Sequence, residues 1–251
     1  MCLPFLRAGV LLFARSSDAA AQAKPMGTRS FRLHRAMLVS VLRSIDQLHE
    51  SIELVLPEDQ ANGLEALASE VLTTPRRIRR VAVTGDGFGA RFSGAVDRCL
   101  EFGVEQLVVV GGDVPEIRPR HFIRAFALLS AGYKAAVGPS PDGGFYLLAT
   151  RAPVSRKLAR VTWRGASTAD EVMSALSLRG VAPACLEPLA DLDGLHDLWQ
   201  LRVRLQRLHR RDELSAAVSS ALMATSSDED GLDSKGDRED RPPRFRAPPA
   251  V

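Results

Sequence analysis

Short apolar runs closed by turn residues alternate along this chain with longer stretches in which apolar residues recur every three or four positions. The first pattern suits buried strands and the second suits one face of a helix. Residues 10–14 read as the first strand. From Phe31 to Leu48, the residues Leu33, Met37, Val41, Leu42, Ile45 and Leu48 form a single stripe, as in an amphipathic helix. Residues 54–56 make a strand that Pro57 closes, and 64–72 a modest helix. An arginine cluster at 76–80 leads into a strand at 81–83. After the glycine-dense 84–89 a helix is expected to bury Phe88, Phe92, Ala95, Val96, Cys99 and Leu100, with Gly103 as its C-terminal stop. Residues 106–110 are the next strand. Pro119 then opens a helix with Phe122, Ile123, Phe126 and Leu129 inward. Strands at 135–137 and 145–149 flank a glycine-rich corner. Residues 161–163 fit a short strand or a docking segment. Thr168-Ala169-Asp170-Glu171 reads as a capping box for a helix to about 178. An extended segment at 181–189 precedes helices at 195–209 and 213–223. Strands separated by helices imply a βαβ sheet between two helical layers.

Composition adjusts this picture little. A chain of 251 residues, 45% hydrophobic and 25% charged, fits one α/β domain. Residues 1–212 are assigned to it, 213–224 to a weak C-terminal helix, and the Ser-, Asp-, Arg- and Pro-rich 225–251 to a disordered tail. The net charge of +3, spread as arginines over the helices, suggests small anionic ligands and no nucleic acid. Cys2, Cys99 and Cys185 lack the spacing of a disulfide framework or a zinc site, and Cys99 falls on an apolar helix face. No apolar run reaches the ~18 residues of a membrane span. Arg7 interrupts the apolar N-terminus and no basic residue opens it, so a cytoplasmic protein is expected. No G-x-G-x-x-G follows the first strand, which argues against dinucleotide binding.

Two corners carry the candidate chemistry. The run Val108-Val109-Val110 ends in Gly111-Gly112-Asp113-Val114-Pro115, and ligands of open α/β sheets bind at the carboxyl ends of strands. The second corner is Gly138-Pro139-Ser140-Pro141-Asp142-Gly143-Gly144-Phe145-Tyr146. Each acid also has a plain reading: Asp113 as a turn residue before proline, Asp142 as loop chemistry. Arg91 can hold phosphate or cover a helix face. Trp163 reads as packing, the 76–80 cluster as a solvated segment, and His121 and His196 as surface residues.

These corners, together with Asp191-Leu192-Asp193-Gly194-Leu195-His196-Asp197-Leu198 and the upstream Gly85-Asp86-Gly87-Phe88-Gly89-Ala90-Arg91-Phe92, resemble the DUF2064 family over roughly residues 10–200. That family belongs to the glycosyltransferase-A (nucleotide-diphospho-sugar transferase) superfamily. The resemblance implies an α/β fold of three layers, α/β/α and Rossmann-like, with a mixed, mostly parallel sheet. It implies Asp113 and Asp193 as ligands of Mg²⁺ or Mn²⁺, a hard cation that takes carboxylate and phosphate oxygens. Gly111 and Gly112 would let backbone approach the nucleotide. Arg15, Lys24, Arg29 and Arg91 would face its phosphates. Gly143 and Gly144 would line the acceptor side, with Asp142 as base or hydroxyl orienter. Asp193 also stands at an N-cap position. The phosphate loop of relatives is echoed only by Lys24, Gly27, Thr28 and Arg29, and Gly194-Leu195 replaces a Thr-Pro pair. The activity implied is metal-assisted transfer of a sugar from a nucleotide-activated donor to a small-molecule acceptor. Nucleotidyl transfer to a phosphorylated substrate is the alternative on the same fold. A non-catalytic nucleotide-binding protein is a third reading.

Overall fold

The computed structural model describes residues 7–17, 27–177, 181–192, 195–207 and 212–230. Its strands are β1 (Ala8–Leu12), β2 (Glu53–Pro57), β3 (Ile78–Val81), β4 (Gln106–Val110), β5 (Ala135–Pro139), β6 (Phe145–Thr150) and β7 (Ala184–Cys185). They form one sheet in the order β3-β2-β1-β4-β6-β5-β7. Neighbours run parallel except at β6, which is antiparallel to β4 and β5. The helices are α1 (Gly27–Asp46), α2 (Ala61–Val71), α3 (Gly87–Glu101), α4 (Pro119–Ser130), α5 (Ser155–Leu158), α6 (Thr168–Leu176), α7 (Leu195–Arg207) and α8 (Glu213–Asp230).

The sheet is buried on both faces, which is why its central strands read as unbroken apolar runs. Val10, Leu54, Val108, Val110 and Leu147 pack against α1, α2 and α4. Leu11, Val55, Val109, Val137 and Leu148 point the other way, against α3, α5 and α6. Successive residues of a strand face opposite layers, so β4 alone feeds both cores. Each such side chain contributes about 1.5–3 kcal/mol by leaving water. A third cluster joins Leu33, Ala36 and Met37 of α1 to Leu198, Leu201 and Leu205 of α7 and to Val218 of α8.

Several boundaries differ from expectation. β1 spans Ala8–Leu12, not 10–14, because Ala14 turns back to bond Leu12 O at 3.0 Å. β3 takes in Ile78, Arg79 and Arg80, which were assigned to the approach segment. It is an edge strand, where charged residues are tolerated, and Arg79 and Arg80 pair with Glu53 and Glu65. Phe88, expected to be buried, is 37% exposed, and Ile123 is 58% exposed. α4 instead turns His121, Phe122, Ala125 and Leu129 inward. Residues 161–163 dock without forming a strand. The residue before α6 is Ser167, whose hydroxyl donates to Glu171 at 2.8 Å, while Thr168 Oγ1 bonds Thr162 O and Gly165 O. α8 continues to Asp230, past the end expected near 223. The rest of the tail lies outside the described residues.

Candidate functional site

β1 connects onward to β2 and β3 on one side, while β4 lies on its other side. Such a switch point opens a crevice at the carboxyl ends of the strands. There the chain leaves β4 through Gly111 and Gly112. A Cβ on Gly112 would stand 2.8 Å from both Ala14 Cβ and Leu38 Cδ2, so a larger residue would wedge the end of β1 away from α1. Asp113 is half-buried, and its Oδ1 folds back over Gly111, 2.6 Å from where a Cβ would sit.

Three of the four residues after Asp113 are stapled to helices. Ser40 Oγ of α1 donates to Pro115 O at 3.0 Å, and Ser44 Oγ to Ile117 O at 2.9 Å. Glu116 pairs with Arg204 of α7 at 2.7 Å. These groups escaped the sequence reading. Their signal was two serines one turn apart on the apolar side of α1, where buried hydroxyls need partners.

A second segment reaches the same corner. Leu186 N–H donates to Val137 O at 2.8 Å, Leu189 N–H to Pro139 O at 3.2 Å, and Leu192 N–H to Asp113 O at 3.1 Å. The half-buried Asp191 and the buried Leu192 are thereby brought beside Asp113. Asp193 comes directly after them, but it and Lys24 lie outside the described residues.

The Asp142 turn lies at the same edge, two strands across, where β5 gives way to β6. Ser140 N–H donates to Gly144 O at 2.9 Å, and Asp142 Oδ1 accepts the Gly144 N–H at 2.9 Å. Asp142 is exposed. Gly143 has φ +90°, and a Cβ there would fall on the Ala166 carbonyl oxygen. Ala169 N–H also donates to Gly143 O at 2.8 Å. The turn is thus seated on the loop that carries Trp163. That indole packs among Phe88, Phe92 and Phe145, with ring centroids 5.3, 5.4 and 6.2 Å away.

The cationic candidates are scattered by comparison. Arg15 is exposed beyond the end of β1, where Ser16 N–H donates to Gln60 Oε1 at 3.0 Å. Arg29 lies in the first turn of α1. Arg91 is engaged by Asp59 at 2.7 Å. Arg98 bonds Ala82 O and Thr84 Oγ1 at 2.9 and 2.7 Å.

His196 is exposed, as expected, but His121 is only 2% exposed. Its ring folds back over the start of α4, where Nδ1 accepts the Arg118 N–H at 2.8 Å. Nε2 lies 2.7 Å from Glu187 Oε1. Burial holds the imidazole below its ordinary pKa, and Arg120 and His121 hold the Glu187 carboxyl below the usual carboxylate range. On the opposite layer, burial pushes the Cys99 thiol up to about 12, consistent with a packing role.

Among the described residues no three His, Cys, Asp or Glu side chains converge as a metal cage. Magnesium sites commonly use only one or two carboxylates and complete the shell with waters and substrate phosphates.

Residues 43–165 match the DUF2064 family model. Its description reads "Uncharacterized protein conserved in bacteria". The DUF2064 match contains Arg91, Asp113 and Asp142, and the resemblance read from the motifs is borne out. No curated protein matches the chain. A solved structure from Desulfovibrio desulfuricans G20, provisionally described as a nucleotide-diphospho-sugar transferase, superposes with a TM-score of 0.66 at 18% identity, covering 88% of this chain and 96% of that one. The 4-diphosphocytidyl-2C-methyl-D-erythritol synthase of Anaerococcus prevotii DSM 20548 superposes with a TM-score of 0.52 at 10% identity, covering 80% and 96%. These likenesses establish the fold: a three-layer, mostly parallel α/β architecture of the glycosyltransferase-A type. Among the described residues no helix is long and apolar enough to cross a membrane.

Proposed function

We propose that the protein is a cytoplasmic, metal-assisted transferase that moves a sugar from a nucleotide-activated donor to a small acceptor. The observation that carries this reading is the hydrogen bond from Leu192 N–H to the Asp113 main-chain carbonyl, which brings residues 191–192 beside Asp113 at the sheet's switch point. Asp113 and Asp193 would hold Mg²⁺ or Mn²⁺. When bound, that cation neutralises the diphosphate and stabilises the charge that develops on the leaving phosphate. Gly111 leaves room for the Asp113 carboxylate and Gly112 for close packing against Ala14 and Leu38, and Arg15, Lys24 and Arg29 would meet the phosphates. Asp142, oriented by the Gly144 N–H, takes the proton of the acceptor hydroxyl as its oxygen attacks the anomeric carbon. The bond from that carbon to the phosphate oxygen breaks, and nucleoside diphosphate leaves.

Nucleotidyl transfer is the second reading. It is favoured by one observation: Gly27, Thr28 and Arg29 form the first turn of the 20-residue α1, and a helix N-terminus favours phosphate. In that reaction an acceptor phosphate oxygen attacks the α-phosphorus of a triphosphate and pyrophosphate leaves. Incubation with nucleotide sugars and nucleoside triphosphates, and then mass analysis, separates the readings. Sugar transfer releases nucleoside diphosphate. Pyrophosphate release moves the assignment to nucleotidyl transfer, and binding without turnover of any donor moves it to a non-catalytic nucleotide-binding protein.

A further inference from the structure

A second cluster of titratable groups joins three elements: His121 at the start of α4, Tyr146 on β6 and Glu187 just beyond β7. His121 Nδ1 accepts a backbone N–H, so its proton sits on Nε2 and is donated to Glu187 Oε1 at 2.7 Å. Arg120 Nε donates to the same oxygen at 3.1 Å. Tyr146 Oη donates to the Glu187 backbone carbonyl at 3.0 Å, and its ring stands edge-on to His121 with centroids 6.2 Å apart. Glu187 is therefore gripped through both side chain and backbone. The course of the chain beyond Glu187 gives that grip a purpose. It bonds Pro139 O through Leu189 and then Asp113 O through Leu192, ending where the late acids begin.

We infer that Glu187 is a positioning residue: gripped by His121, Arg120 and Tyr146, it fixes the path of residues 186–192 and so holds Asp191 and Leu192 beside Asp113. The inference rests on the proposed role of Asp113. Groups that orient ligands without touching the metal commonly alter its affinity by about 10–100-fold when removed.

The test is calorimetric titration of the full chain with pyrophosphate, with and without Mn²⁺, alongside thermal midpoints. Wild type is expected to bind more tightly with Mn²⁺, and Asp113→Asn to lose that gain. Glu187→Ala and Tyr146→Phe are expected to weaken Mn²⁺-dependent binding about tenfold, leaving metal-free binding unchanged. Glu187→Gln is expected to retain the gain, because its amide oxygen still accepts from His121 and Arg120. Wild-type behaviour of Glu187→Ala and Tyr146→Phe, with Asp113→Asn impaired, would overturn the positioning role and spare the Asp113 reading. Equal loss with and without metal would reduce Glu187 to a structural part. A gain from Mn²⁺ that is absent in wild type, or indifferent to Asp113→Asn, would remove both.

Discussion

On the β4–β6–β5 side of the crevice each turn is tied to something distant: Pro115 and Ile117 to α1, Leu192 to Asp113, Gly143 to Ala169. On the β1–β2–β3 side the arginines are exposed or already engaged, Arg15 in solvent and Arg91 on Asp59. The first side holds its carboxylates before any ligand arrives. On the proposed function the second would have to order or release its cations on binding, and such ordering costs about 0.5–1.5 kcal/mol per long side chain. The difference teaches that the corner carrying Asp113 is fixed by hydrogen bonds from distant elements, while on the proposed function the arginines opposite it would have to rearrange to meet phosphate. The DUF2064 match has a related boundary. It covers Asp113 and Asp142, while Arg15, Lys24, Arg29 and Asp193 fall beyond it.

The strongest way to break the comparison is at the turn on the rigid side. Gly143→Ala combines a positive φ with a Cβ placed on the Ala166 carbonyl. Strain and overpacking together are expected to destabilise the fold by about 3 kcal/mol in urea unfolding. A loss under about 1 kcal/mol would mean that the turn is not held as described. A smaller effect is expected from pH. Burial keeps His121 neutral in the folded state, with its pKa below the ordinary value, so the unfolded chain binds the proton more readily. Its contribution is complete above about pH 6.5 and is lost as pH falls from there through the lower folded pKa. Thermal midpoints should decline across that range in wild type and less steeply in His121→Gln. Identical profiles would show that His121 titrates as if exposed. The smallest effect belongs to the loose side. Arg91→Ala removes a pair whose partners are each 40% exposed and is expected to cost less than about 1 kcal/mol. A larger loss would show that the β1–β2–β3 side is as firmly built as the other.

What could be read from sequence divides along physical lines. The β4 run and its Gly-Gly-Asp corner were legible because two-sided burial and turn chemistry leave local marks. Asp142 was legible as a turn for the same reason. The start of β3 was not, because Arg79 and Arg80 are acceptable in an edge strand only through Glu53 and Glu65, contributed by other elements. His121 was misread as a surface residue because its burial depends on Glu187 and Tyr146, distant in sequence. Ile123 was misplaced because that inward histidine sets the phase of α4. The meeting of Leu192 with Asp113 left no local mark at all.

The central claim is that Asp113 anchors a cation shared with a diphosphate. Thermal shift with nucleotides and nucleotide sugars, in Mn²⁺ or Mg²⁺ and in chelator, tests it most directly. The account predicts stabilisation by at least one diphosphate-containing ligand that requires the metal and disappears in Asp113→Asn. A ligand that stabilises wild type and Asp113→Asn equally, with or without metal, would contradict it.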